Sequence, residues 1–353
     1  MDTGGSLRIS RAAVGETAAS GSAGAVQVDE YLLDTGRDLA IAVWTYGATL
    51  VQVIVPDRYG NPDNVVLRLP DLSAYEDRSR NPYVGCTVGR YCRSVADGRF
   101  RLDGVEHHLH RNDGRHHVHG GPEGFDRRVW AAEAGRDGDD LVLHLRLDSP
   151  DGDQGYPGAV TVQATYRVDG SGRLSFEYRA ETTASTIVSL TNHAFWNLSA
   201  GGVVDGHVLA LNAARVLRFD AELMPVAGPP ADVVEAGLDF RRPRTIGATK
   251  LDNLFVPESG DWAAELADPV SGRCMRVVTD QPGLGVYSGD GYVQPRAGIC
   301  LEAGGWPNSP NRPDFPSDRL DPGEVHIHRT THQFSVGHTG AMTAGAPGPQ
   351  VRG

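Results

Sequence analysis

Two side chains far apart in the sequence have the types needed to move protons near neutral pH. Glu302 closes the apolar run Gly298-Ile-Cys-Leu-Glu302, and burying a carboxylate there is costly unless something pairs with it or uses it. His193 sits in Leu190-Thr-Asn-His-Ala-Phe-Trp-Asn197. In such an aromatic, amide-rich setting an imidazole can be partly desolvated, held in one tautomer, and serve as an acid. Each has a plainer reading beside it. Glu302 could be an exposed strand-end residue before Ala303-Gly304-Gly305, and His193 a hydrogen-bonded core histidine.

Further polar and aromatic residues could line a ligand site. His119 is followed by Gly120-Gly121, and glycines permit close backbone approach to a ligand. His117 and His119 lie two apart and could share a strand face as a metal pair, but no third ligand has suitable spacing, so no metal is expected. Asp252 in Leu-Asp-Asn-Leu-Phe could hold sugar hydroxyls or cap a turn. Phe195, Trp196, Tyr287 and Trp306 could stack on a sugar ring or pack in a core. The segment after Trp306, Pro-Asn-Ser-Pro-Asn-Arg-Pro-Asp-Phe-Pro316, is a proline-stiffened loop suited to a pocket rim.

Several chemistries are excluded by absent motifs. The chain has no G-x-S-x-G, G-x-x-x-x-G-K-[ST] or H-E-x-x-H, and Gly283-Leu-Gly285 lacks the remainder of a dinucleotide fingerprint. No cofactor is expected. Asp151-Gly-Asp153-Gln-Gly155 has its glycine too early for a calcium loop and no closing acid. The formal charge of -12 disfavours nucleic acid and anionic membrane as partners. Four scattered cysteines without C-x-x-C spacing read as reduced thiols. With no secretory layout and no long apolar stretch, a cytoplasmic location and no membrane contact are expected.

The elements that must position these residues are strands. Leu39–Trp44, Leu141–Leu147, Val160–Tyr166 and Leu174–Arg179 largely alternate between apolar and polar. Turn clusters at Pro56–Gly60, Ser149–Asp153 and Val168–Gly172 separate strands by short connections. The 44 glycines and 22 prolines agree with many turns, and Leu72–Tyr75 is the best short helix. An all-β, single large antiparallel β-sandwich is predicted. Residues 25–336 form its one domain, between flexible tails at 1–24 and 337–353 rich in Gly, Ala and Ser.

Taken in order, the segments resemble the aldose 1-epimerase (galactose mutarotase) family from about residue 40 to 336. The resemblance rests on Tyr46-Gly-Ala-Thr49, Asn81-Pro-Tyr-Val-Gly85, Val88-Gly-Arg90, Val118-His-Gly-Gly121, Gly155-Tyr-Pro-Gly158 and Leu190-Thr-Asn-His193. Further matches are Leu251-Asp-Asn253, Tyr287-Ser-Gly289, Cys300-Leu-Glu302 and Pro322-Gly-Glu324. It implies a mutarotase-like supersandwich that interconverts sugar anomers without a cofactor. By matching motif it implies Glu302 as the base at the anomeric hydroxyl and His193 as the acid at the ring oxygen. It further implies His119 and Asp252 as substrate-binding residues. The expected partner is a small sugar or sugar-like molecule, and the chain a monomer or homodimer.

Three departures stand out from that pattern. Where the family usually has Asn-Arg, this chain has Arg93-Ser94, so the position of the expected sugar-binding arginine is Ser94, with Arg93 one place earlier. Both are candidate substrate-binding residues, although on a strand the one-residue shift turns the guanidinium to the opposite face. A glutamine is replaced at Gly285, and a polar pair after the glutamate is replaced by Gly304-Gly305. Missing hydroxyl readers and extra room point to a deoxy, modified or bulkier ring. The same acid–base pair could also serve an epimerisation, cyclisation or elimination. A silent carbohydrate-binding protein would not need both Glu302 and His193, while a glycosidase would use Glu302 with Asp252.

Overall fold

The alternating segments form strands where their pattern places them. The structure, a computed structural model, describes residues 7–18, 24–292 and 294–337. Val160–Val168 alternates buried and half-buried residues along its whole length. Its neighbours Asp140–Ser149 and Arg173–Thr182 pair with it antiparallel across the two predicted turns. The predicted helix is Leu72–Glu76, where the Asp71 side chain accepts a hydrogen bond from the Ala74 amide (2.9 Å) and caps the first turn.

Among the described residues the largest sheet has nine strands. It runs from the edge strand Ala131–Asp137 through Asp140–Ser149, Val160–Val168 and Arg173–Thr182 to His326–Val336, near the end of the chain. Arg273–Thr279, Ala264–Ala267, Val208–Leu211 and Arg244–Thr245 complete it. A five-stranded and a six-stranded sheet share one buried apolar core with it, in which Leu143, Val162 and Phe176 join Ile41, Val53, Leu284 and Leu301. Burial of that continuous core is the main stabilising term. No helix among the described residues is long and apolar enough to cross a membrane.

The expected N-terminal tail is corrected. Arg8–Thr17 is a strand at the edge of the five-stranded sheet, paired antiparallel with Val26–Asp34. Its exposed face and Ala/Gly content hide the alternation that marks the inner strands. Of that predicted tail, residues 1–6 and 19–23 lie outside the described residues, as does 338–353 at the other end.

Two central strands of the six-stranded sheet decide where the chemistry sits. Along Ile299–Gly304, Ile299, Leu301 and Ala303 enter the core, so Cys300, Glu302 and Gly304 must point to the other face. That face is covered too, and every residue of the strand is buried. On the adjacent Gly283–Tyr287, Leu284 and Val286 enter the core. Gly285 is the register partner of Glu302, and Tyr287 that of Cys300.

The last strand carries a stability consequence. His332 is 3% exposed, its ring lies against Trp196 (4.8 Å) and Phe176 (5.2 Å), and neither ring nitrogen has a partner among the described residues. Burial holds its pKa down to about 3. Below its ordinary value of 6.5 the unfolded chain takes up a proton that the folded chain refuses, so stability falls as pH drops. His332→Phe is therefore expected to stabilise the fold by about 1 kcal/mol at pH 7, and by more at pH 5. Urea unfolding at the two pH values checks this, and a variant less stable than wild type at both overturns it.

Candidate active site

The buried end of Ile299–Gly304 meets His193 across a narrow gap. Glu302 Oε1 lies 3.6 Å from His193 Nε2, with the two residues 3% and 5% exposed. Glu302 Oε2 is buried with no hydrogen-bond partner among the described residues. A native protein seldom leaves a buried carboxylate oxygen unmatched, so this atom is open to a ligand's donor. His193 is fixed from both sides of its backbone, donating from its amide to the Cys86 carbonyl and accepting from the Gly85 amide, each at 2.9 Å. Its other ring nitrogen, Nδ1, lies 3.6 Å from Cys300 Sγ. Burial pushes the Cys300 thiol well above its ordinary range, which keeps it protonated.

His119 enters from the other wall. The Arg93 amide donates to His119 Nδ1 (3.1 Å), and the His119 amide donates to the Arg93 carbonyl (3.1 Å). A backbone N–H can only donate, so Nδ1 carries no proton and neutral His119 holds its proton on Nε2. Burial, then the positive charge of a protonated His193 and of Arg93, pushes its pKa well below 6.5. His119 is thus a neutral donor. The glycines behind it serve the protein's own packing, since a Cβ on Gly120 would lie 3.0 Å from the Arg90 amide nitrogen.

This tautomer bears on metal binding. One ligand atom each from His119, His193 and Glu302 lies within 4.8 Å of the others, a spacing that could suit an ion. A metal at His119 Nε2 would need the proton moved to Nδ1, where it would oppose the Arg93 N–H. As placed, His119 offers a hydrogen-bond donor at Nε2 and Glu302 Oε2 a free acceptor. His117 is committed elsewhere. Its Nδ1 donates to the His110 carbonyl (2.6 Å) and its Nε2 accepts from the Tyr156 hydroxyl (2.6 Å), so it forms no pair with His119.

Arg93 contradicts the expectation that its guanidinium turns away. It precedes the strand Ser94–Val95 and has φ 69°, a left-handed conformation that redirects the side chain. The guanidinium reaches the site, donating to the Glu302 carbonyl oxygen (2.9 Å) with Nη2 4.0 Å from Glu302 Oε2. Tyr83 (φ 66°) and His119 (φ 50°) share this uncommon geometry. Backbone conformations of this kind cost about 1–3 kcal/mol and gather where a site must be held.

Tyr83, from the segment Asn81-Pro-Tyr-Val-Gly85, packs against both histidines. Its ring lies 4.7 Å from that of His119 and 5.9 Å from that of His193, bracing both imidazoles. The Arg78 guanidinium lies 4.3 Å over Tyr83 and pairs with buried Asp126 (2.6 Å). The Pro82-Tyr83 step between Asn81 and Gly85 was the available signal.

The remaining predicted residues divide. Asp252 opens the strand Asp252–Val256 and pairs in register with Tyr287, which pairs with Cys300, placing it one row from Glu302. Its side chain reaches solvent, yet surrounding protein and then the Glu302 charge raise its pKa. Tyr287 is half-buried beside it, its hydroxyl accepting from the Gly291 amide (2.7 Å). Ser94 is half-buried and pairs with Val118. Trp306 is not a stacking platform. It is 8% exposed, packed on Phe315 (4.8 Å), and its indole N–H is given to the Pro282 carbonyl.

The extra room expected at the glycines is also taken. A Cβ on Gly285 would lie 2.5 Å from the guanidinium carbon of Arg93, one on Gly304 3.0 Å from Cys92 Sγ, and one on Gly305 2.7 Å from Asp318 Oδ2. A surface cavity of about 530 Å³ beside Phe100, Ile187, Phe315 and Asp318 includes none of the residues at Glu302.

Comparison with known proteins bears on family and fold. The profile described as aldose 1-epimerase matches residues 29–333. Galactose mutarotase of Homo sapiens is 34% identical over 351 residues, covering 93% of this chain and 99% of that protein. Aldose 1-epimerase of Escherichia coli (strain K12) is 31% identical, covering 86% and 94%. The crystal structure of galactose 1-epimerase from Lactobacillus acidophilus NCFM superposes with a TM-score of 0.82 at 27% identity, covering 94% of this chain and 100% of that one. By fold, by profile and by relatives aligned along most of its length, the chain belongs to the aldose 1-epimerase family.

Proposed function

We propose that Glu302 and His193 carry the two proton transfers that interconvert the α and β anomers of an aldose. The carrying observation is that Glu302 Oε1 and His193 Nε2, both buried, face each other at 3.6 Å while Glu302 Oε2 lacks a partner among the described residues. Such a pair suits the two oxygens on one hemiacetal carbon. Glu302 takes the proton of the anomeric hydroxyl, the carbonyl forms, the bond to the ring oxygen breaks, and His193 protonates that oxygen. The aldehyde turns about the bond to its neighbouring carbon and recloses, each group reversing its role. His119, as a neutral Nε2–H donor, holds a substrate oxygen, and Asp252 and Tyr287 bind hydroxyls at the mouth.

The relatives named for galactose make that hexose the first substrate to test. The ground for expecting a bulkier ring lay in vacant space, which Arg93, Cys92 and Asp318 occupy. A glycosidase pairing is disfavoured because an imidazole, and not a second carboxylate, faces Glu302. Reduced thiols at Cys86, Cys92 and Cys300, all buried and unbridged, support a cytoplasmic setting. Proton NMR exchange spectroscopy across a panel of aldoses tests the reading. Exchange above the spontaneous rate for at least one sugar supports it, and no acceleration for any defeats it.

A further inference from the structure

The Arg93 guanidinium occupies a notch that exists only because residue 285 has no side chain. Gly285 is the register partner of Glu302, and a Cβ there would overlap the guanidinium. Of the guanidinium's N–H groups one is spent on the Glu302 carbonyl, while Nε is buried without a partner among the described residues. Nη2 stands 4.0 Å from the unmatched Glu302 Oε2. That gap is too long for a direct hydrogen bond, so the guanidinium's remaining N–H groups are left for a sugar hydroxyl beside the one that Glu302 deprotonates.

We infer that Arg93 and Gly285 form one coupled specificity element, in which Arg93 reads a single sugar hydroxyl and its reach depends on the empty position 285. The left-handed backbone at Arg93 is part of the device, since it carries an arginine one residue early into the site. The exchanges at Arg93-Ser94 and at Gly285 are then one compensated change. This inference rests on the anomer-interconversion reading and adds the residue that selects among sugars.

Gly285→Ala provides a clean test, because the atoms it would strike are the far end of a flexible side chain, which can swing away without unfolding the strand. Arg93→Ala is expected to lower kcat/KM for the preferred aldose about 10- to 100-fold, the effect of one hydrogen bond to a charged group. Gly285→Ala is expected to cause a similar loss with an unchanged melting temperature, and the double variant to be no worse than either single. Across a series of monodeoxy sugars, one member is expected to react equally well with wild type and Arg93→Ala. Additive losses, a fully active Gly285→Ala, or equal losses for every deoxy sugar would overturn the inference. If the wild type accelerates exchange of no sugar, the reaction reading itself fails. The coupling is then scored by the Arg93 Nε–H NMR signal, protected in the wild type; an unchanged signal in Gly285→Ala refutes it.

Discussion

Glu302→Gln is expected to slow anomer exchange by about a thousandfold, the middle of the range for removing a general base, equivalent to about 4 kcal/mol of transition-state stabilisation. The amide keeps the shape of the side chain and can still hydrogen-bond a sugar oxygen, so KM should move only a few-fold. Loss of activity through unfolding is separable. Glu302 is buried with one oxygen unmatched, and exchanging it for a neutral amide removes the desolvation cost of a charge. The variant should therefore melt at or above the wild-type temperature while its catalysis collapses. Polarimetry beside thermal melts reads both quantities, and near-normal turnover would show that the carboxylate is not the base.

His193→Asn is expected to cost about a hundredfold to a thousandfold in kcat, because the amide cannot deliver a proton to the leaving ring oxygen. Its side chain can still occupy the space against Phe195 and Tyr83, whose rings lie 5.2 and 5.9 Å from the imidazole. The double variant with Glu302→Gln should be scarcely slower than the slower single, since the two groups act in one concerted exchange and their losses do not add. Stopped-flow polarimetry on freshly dissolved single anomers measures this. Multiplying losses would mean that the residues act in independent steps.

The burial of Glu302 was legible in the sequence because strand alternation alone sends it away from Ile299, Leu301 and Ala303, and the apolar run around it carries it inside. The inner strands were legible for the same reason, as Val160–Val168 illustrates. Arg93 was misjudged because the period-two rule presumes extended backbone, and its left-handed φ breaks that premise. The notch at Gly285 was read as vacancy because nothing in the sequence ties residue 93 to residue 285. Trp306 was misplaced because an aromatic beside a proline-rich loop looks the same whether it lines a cleft or closes a hydrophobic cluster. Tyr83 was underrated because its value lies in touching two histidines brought from distant stretches of chain.

The strand Arg8–Thr17 matters beyond its own pairing. It masks the backbone donors and acceptors of Val26–Asp34, nine residues that would otherwise form a bare sheet margin. A protein shortened to begin after residue 24 would keep every group proposed for proton transfer, yet carry a sticky border able to recruit the same border of another copy. Such a truncation is expected to be active when dilute and to self-associate when concentrated.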